Sequence, residues 1–117
     1  MTQDEVVALV ERELADYRYE PGPGLVGQPW TTERIAQELA ALRAALVPPR
    51  LVTLHAESYT GEPLRTSEAW VVVEASDGTV VVYEPASNDF WLVEREASGA
   101  FRTFGVNGDL AGTFMAR

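Results

Sequence analysis

The spacing of apolar residues changes once along this chain, from a helical period to a strand period. Near the amino terminus, apolar residues recur every three or four positions, and Thr2 and Glu5 have the spacing of a capping box. The apolar stripe consists of Val6, Leu9, Val10, Leu14 and Tyr17. This pattern predicts a first helix over residues 3–17.

A second helical stripe follows a segment rich in proline and glycine at residues 21–29. Thr31 is a suitable N-cap, and Pro48-Pro49 is expected to end the helix near Leu46. The stripe consists of Ile35, Leu39, Leu42 and Leu46. We therefore predict a second helix over residues 32–46.

The proline- and glycine-rich segment carries Gly22, Gly24 and Gly27 at the spacing of a dinucleotide-binding fingerprint. That fingerprint works at the turn between a strand and a helix, whereas this segment follows a helix and includes Pro23. We expect a loop, which could act as a lid, and no cofactor.

From Arg50 onward apolar and polar residues alternate, as is typical of strands, and turn signals divide the region. Asp77-Gly78 and Asn107-Gly108 both suggest two-residue hairpin turns. The predicted strands cover residues 51–59, 69–75, 79–84, 89–96, 100–106 and 109–116. We predict a single α+β domain over 1–117, with two N-terminal helices packed on one face of a five- to six-stranded antiparallel meander sheet at 51–116.

The turns also predict a register, in which two-residue loops connect the strands around Asp77-Gly78 and Asn107-Gly108. A three-residue loop is expected after Glu96. The predicted cross-strand pairs are Val72 with Tyr83, Tyr83 with Phe90, Phe104 with Ala111, Glu94 with Arg102, and Trp91 with Gly105.

This register sorts the strand residues onto two faces. The first is almost entirely apolar and is expected under the helices: Val71, Val73, Val80, Val82, Trp91, Val93, Phe101, Leu110 and Phe114. The second is mixed: Trp70, Val72, Glu74, Val81, Tyr83, Phe90, Leu92, Glu94, Arg102 and Phe104. It is too apolar for full exposure, so we expect a curl of the sheet, the loop, a second subunit or a partner to cover part of it.

Composition excludes several kinds of chemistry. Cysteine is absent and all nine basic residues are arginine, which removes thiol nucleophiles, disulfides, thiolate metal sites and lysine Schiff bases. The net charge of −9 disfavours nucleic acid and anionic membranes. The acidic amino terminus does not resemble a signal peptide, and no run approaches the ~20 apolar residues of a membrane span, so a cytoplasmic location is expected.

The one histidine, His55, shares a predicted strand face with Glu57. Such a pair can act as a general base with an orienting carboxylate, although a structural polar pair is the more common outcome. One histidine without cysteine is too few ligands for zinc, so we expect no metal.

Aromatic residues on the second face form the least ordinary feature. Trp70, Tyr83 and Phe90 are expected to cluster near Pro85, with Glu74 and Glu94 around them. Aromatic clusters on a sheet face usually belong to the core, and the alternative is an interface or ligand site, where Trp and Tyr are enriched. We predict these five residues as the binding site.

The first helix and the short, acidic α+β build resemble small bacterial immunity proteins, which neutralise toxin domains by direct binding. The use of arginine in place of lysine agrees with a GC-rich bacterial genome. Our leading hypothesis is a non-enzymatic binding module with a basic protein partner, or a homodimer. A small-molecule binder with a pocket between curved sheet and helices, and an enzyme using His55 with a glutamate, are the alternatives.

Overall fold

Three helices and six strands make up the part of the chain that the computed structural model describes, which is residues 1–19, 30–58, 60–103 and 105–117. In chain order they are α1 (Gln3–Asp16), α2 (Thr32–Ala45), β1 (Leu46–Glu57), β2 (Pro63–Glu74), β3 (Val80–Glu84), β4 (Asp89–Arg95), β5 (Phe101–Thr103), β6 (Asn107–Gly108) and α3 (Leu110–Met115). The α+β class is confirmed. The glycine-rich segment, Tyr59 and Phe104 lie outside the described residues, as does the predicted pairing of Phe104.

Local capping explains where the first two helices begin. The Thr2 hydroxyl accepts a hydrogen bond from the Glu5 amide at 3.2 Å, and Glu5 accepts one from the Thr2 amide at 3.0 Å. The Thr31 hydroxyl accepts from the Arg34 amide at 3.1 Å. Each cap satisfies an amide that the first helical turn leaves without a partner, and both predicted helix starts are confirmed.

The second helix passes directly into the first strand, so the prediction that β1 begins at Leu51 was wrong. Leu46 pairs with Val73, and the next pair is Arg50 with Val71, so the intervening residues of β1 bulge. Pro48-Pro49 lies in this bulge. Proline has no backbone N–H to donate to the hydrogen-bond ladder of a sheet, so within a strand it is tolerated at a bulge.

The sheet closes on itself through a parallel pairing, which the predicted antiparallel meander did not include. Strands β1 to β5 pair antiparallel in chain order, and β5 then pairs with β1 in parallel, with Leu54 beside Phe101. Successive strands of a meander alternate in direction, so the first and fifth run the same way. A five-stranded meander can therefore close only through one parallel pairing.

Closure places the two predicted faces differently from our expectation. The predicted apolar face lies largely inside the closed sheet, and the helices cover part of the predicted mixed face instead. The inner cluster consists of Leu54, Ala69, Val71, Val82, Val93 and Phe101. The outer cluster, under the helices, consists of Val6, Val10, Leu42, Ala45, Val72, Val73, Val81, Tyr83, Phe90, Leu110, Ala111 and Phe114.

The β2–β3 register also differs, because Tyr83 pairs with Trp70 and not with Val72. The turn holds three residues, since the Ala75 amide donates to the Thr79 carbonyl at 2.8 Å. A bulge at Val72 displaces the register further. Two consecutive side chains, Val72 and Val73, thereby join the outer cluster.

The predicted strand over residues 109–116 is helix α3, and the predicted Asn107-Gly108 turn is strand β6. Asp109 is the N-cap of this helix, accepting a hydrogen bond from the Gly112 amide at 3.3 Å. Leu110 and Phe114, four residues apart, both enter the outer cluster, which is helical spacing. The Asn-Gly pair was misinterpreted because it precedes a helix and not a strand.

The pairing of Glu94 with Arg102 and of Tyr83 with Phe90 is confirmed. The pairing of Trp91 with Gly105 was wrong, because Trp91 faces Asn107. From the Glu94–Arg102 pair to the Trp91–Asn107 pair, the chain covers three residues along β4 but five along the facing segment. The extra residues surround Gly105, whose φ of +116° favours glycine.

None of the helices in the described part of the chain is long and apolar enough to cross a membrane.

Candidate functional site

A row of apolar side chains crosses four strands on the outside of the closed sheet. Leu51 pairs with Trp70, Trp70 with Tyr83, and Tyr83 with Phe90. The Tyr83 and Phe90 ring centroids are 5.1 Å apart, and the Tyr83 hydroxyl donates to Asn88 Oδ1 at 2.7 Å. Three of the predicted binding residues therefore do lie together.

The row is buried at one end and open at the other. Tyr83 and Phe90 are only 4% and 2% exposed, so little of either side chain is accessible to a partner. Trp70 is half-buried and Leu51 is 50% exposed. A single row thus joins the outer core to the surface, and Trp70 stands at the transition.

The open end of the row borders a cleft of about 380 Å³. Pro85 is part of its lining, which agrees with the predicted proximity of Pro85 and Trp70. We refer to the residues around this cleft as the Trp70 surface: Met1, Leu51, Ser67, Glu68, Trp70, Pro85 and Ala86. Met1 is 55% exposed, so two strongly exposed apolar side chains flank Trp70.

The structure does not bring the two predicted glutamates into this surface. Glu74 lies at the end of β2 and forms an ion pair with Arg50. Glu94 projects from β4 with 66% of its side chain exposed, 3.4 Å from Arg102 Nη2. Of the acidic residues, Glu68 is the one that lines the cleft beside Trp70.

His55 has a carboxylate neighbour, but it is Glu96 and not the Glu57 that the sequence suggested. His55 Nδ1 lies 3.4 Å from Glu96 Oε1, and 38% of the histidine side chain is exposed. Among the described residues, Glu96 is the one that forms an ion-pair contact with His55.

A second site lies inside one end of the closed sheet and was missed by sequence reasoning. The Glu84 carboxylate is fully buried and accepts hydrogen bonds from Arg65 Nε at 3.3 Å, from Arg65 Nη2 and from the Ser67 hydroxyl. Alternation along β3 offered a signal, since Val80, Val82 and Glu84 share one face. A glutamate on an apolar face requires a partner, and Arg65 supplies it.

Burial by itself would raise the pKa of Glu84, because it penalises the charged form. Hydrogen bonds from Arg65, Ser67 and Ser87, together with the positive charge of Arg65, outweigh that penalty and lower the pKa. Glu84 is therefore an ionised carboxylate enclosed by donors.

Trp91 completes this end of the sheet. The Arg65 guanidinium carbon lies 5.1 Å from the centroid of the Trp91 ring, and the indole Nε1 donates to Ser87 Oγ at 3.0 Å. A cleft of about 300 Å³ opens beside both side chains. We call its lining the sheet mouth: Ala56, Glu57, Ser58, Leu64, Arg65, Trp91, Thr103 and Gly105.

A third cleft, of about 550 Å³, separates α2 from the β2–β3 turn. Arg117 at its edge contacts Glu38 and Asp77, with the Arg117 Nε to Asp77 Oδ2 distance at 3.2 Å, and its guanidinium lies 3.9 Å from the Phe114 ring centroid. These contacts fasten the last residue of the chain to two other elements, which is a structural role.

Among the residues that the structure describes, no group of three histidine or carboxylate side chains is placed to hold a metal ion. Comparison with known proteins found no matching family model, no matching curated protein and no matching solved structure.

Proposed function

We propose that this protein is a non-enzymatic binding module that engages a basic protein partner through the Trp70 surface. One observation carries the proposal: an apolar row anchored in the core emerges at the surface at Trp70, beside a cleft and two exposed apolar side chains.

The row gives Trp70 the properties of an interface anchor. Its neighbour on β3, Tyr83, is held by ring contact with Phe90 and by a hydrogen bond to Asn88. A side chain that is already half-buried against such a support loses little conformational freedom when a partner covers it. Tryptophan is also the residue type most enriched among those that dominate binding energy.

Charge defines the chemistry of the partner. Glu68 lies at the edge of the cleft, and the whole chain carries a net charge of −9. An acidic protein attracts a basic surface and accelerates its association. Glu74 and Glu94 lie outside the contact and would act only through this long-range field.

The same charge argues against a homodimer through this surface. Two copies would each bring a net charge of −9 to the contact, whereas a basic partner would neutralise it. The resemblance to immunity proteins makes a basic toxin domain the first class of partner to test.

Affinity capture from native lysate tests the proposal. The protein would be compared with Trp70→Ala and with Val106→Ala, a control because Val106 is also exposed, at 44%, and lies outside the Trp70 surface. We expect a protein of net positive charge to be captured by the wild type and by Val106→Ala and to be lost with Trp70→Ala. Equal capture by all three proteins would place the interface elsewhere, and capture of a second copy alone would favour the homodimer.

A further inference from the structure

We propose that the sheet mouth binds a small, uncharged, planar aromatic molecule whose hydrogen-bond acceptor is held by Arg65. This site is separate from the Trp70 surface and does not depend on the function proposed for it. The inference rests on the geometry around Arg65, Glu84 and Trp91.

The walls of the cleft suit an aromatic ring. Ala56, Leu64 and Trp91 provide apolar surface, and the volume of about 300 Å³ corresponds to the lower end of the range for small-ligand pockets. Leu64 is 66% exposed. A ligand that covers this side chain would remove apolar surface from water, which is favourable.

Arg65 is a preorganised donor. Glu84 engages its Nε and Nη2 atoms, and the guanidinium carbon lies 5.1 Å from the Trp91 ring centroid. Its Nη1 donates no hydrogen bond to the residues that the structure describes, and 41% of the side chain is exposed. A ligand acceptor would therefore meet a donor whose orientation is fixed before binding.

The surrounding structure keeps both walls in place. The Trp91 indole is fixed by its hydrogen bond to Ser87, and buried Thr103 donates to the Leu92 carbonyl at 2.8 Å. A small ligand binds more tightly when the side chains that line its site are already fixed, because no conformational entropy is lost in ordering them.

Charge selects a neutral ligand. A cation such as an amidinium has no lone pair that can accept from Arg65 Nη1, so the fixed donor would stay without a partner. An anion gains little from Arg65, because Glu84 already neutralises its charge, and Glu57 lines the cleft. A carbonyl or amide oxygen accepts from Arg65 without either penalty.

The test uses three probes that share one ring and differ in charge: benzamide, benzoate and benzamidine. Each is titrated into the ¹⁵N-labelled protein while the Trp91 indole N–H and the Arg65 Nε–H resonances are followed. We expect benzamide to shift both resonances with saturation and a Kd on the order of 1 mM. Benzoate and benzamidine are expected to bind at least about fivefold more weakly.

Arg65→Lys keeps a positive charge beside Glu84 but removes the planar fork, and it should weaken benzamide binding about tenfold. Arg95→Lys is the matched control, since Arg95 contacts the Phe101 ring at 5.0 Å at the far end of β4. If Arg65→Lys fails to fold, Leu64→Ala removes a wall without touching the ion pair and should also weaken binding.

Three results would overturn the proposal. These are the absence of a saturable shift with benzamide, shifts that spare Trp91 and Arg65, and an equal effect of Arg65→Lys and Arg95→Lys. Preferential binding of benzoate or benzamidine would contradict the assignment of a neutral ligand.

Discussion

Arg65 and Glu84 form an ion pair inside one end of the closed sheet, in which the Glu84 side chain is fully buried and the Arg65 side chain is 41% exposed. Arg50 and Glu74 form a second pair where β2 ends. Between them lies the apolar interior, including Leu54 and Val82. Each end of the sheet thus has a charged pair at the boundary of the core.

Removing Arg65 is expected to destabilise the fold. In Arg65→Met the buried Glu84 carboxylate loses its charged partner, which should lower the free energy of unfolding by about 2–3 kcal/mol. This is less than for a fully buried pair because Arg65 is partly exposed. Urea unfolding measures the change. The matched control is Arg43→Met, whose pair with Glu11 is 3.7 Å long and exposed on both sides, and it should change stability by less than about 0.5 kcal/mol. Equal effects would mean that burial of Glu84 does not matter.

Acid should weaken the fold through Glu84. Its pKa is lowered in the folded state from an ordinary 4.5, so its contribution is complete above that value and is lost as the pH falls through the folded pKa. Glu84→Gln should be less stable than wild type at pH 7 and should show a smaller stability loss between about pH 5 and pH 3. The comparison requires unfolding free energies at several pH values. Parallel curves for the two proteins would show that another group controls the acid limb.

Glu13 should have the opposite effect. Burial raises its pKa, and nearby Asp109 and Asp16 add to the rise, although the Leu110 amide opposes it. A raised folded pKa means that stability is present at low pH and lost as the pH rises through that pKa. Glu13→Gln, which keeps an acceptor for the Leu110 amide, is expected to raise Tm at pH 7 and to leave it unchanged near pH 3. A lower Tm at pH 7 would contradict this.

The aromatic row should divide into a core part and a surface part. Phe90→Ala is expected to cost about 3–5 kcal/mol because Phe90 is 2% exposed, whereas half-buried Trp70 should cost roughly 1–2 kcal/mol when changed to alanine. Denaturant unfolding of both variants makes the comparison. A larger loss for Trp70→Ala would assign Trp70 to the core and weaken the case for an interface.

Features set by neighbouring residues were predictable from the sequence. The capping box of Thr2 and Glu5 and the pairing of Glu94 with Arg102 depend on short intervals of chain, and both are confirmed. The alternation of strand residues also separated the inner and outer faces for most positions, including Val71 and Val82.

Features that depend on distant residues were not predictable in this way. Turn signals carry no information about the contact between Leu54 and Phe101 that closes the sheet, so the helices were assigned to the wrong face. The bulge at Val72 and the break between β5 and β6 shifted two pairings without a clear local signal. Predicting Glu84 as part of a site required knowing that the Arg65 side chain would form an ion pair with it.

The most direct test of the central claim is the affinity of the captured basic partner for wild-type protein and for Trp70→Ala, measured by titration calorimetry at one salt concentration. The account predicts a loss of about tenfold or more for Trp70→Ala, as expected of an interface anchor, and a smaller loss for Glu68→Arg at the edge. An affinity for Trp70→Ala within about twofold of the wild-type value would contradict the assignment of the Trp70 surface as the binding site.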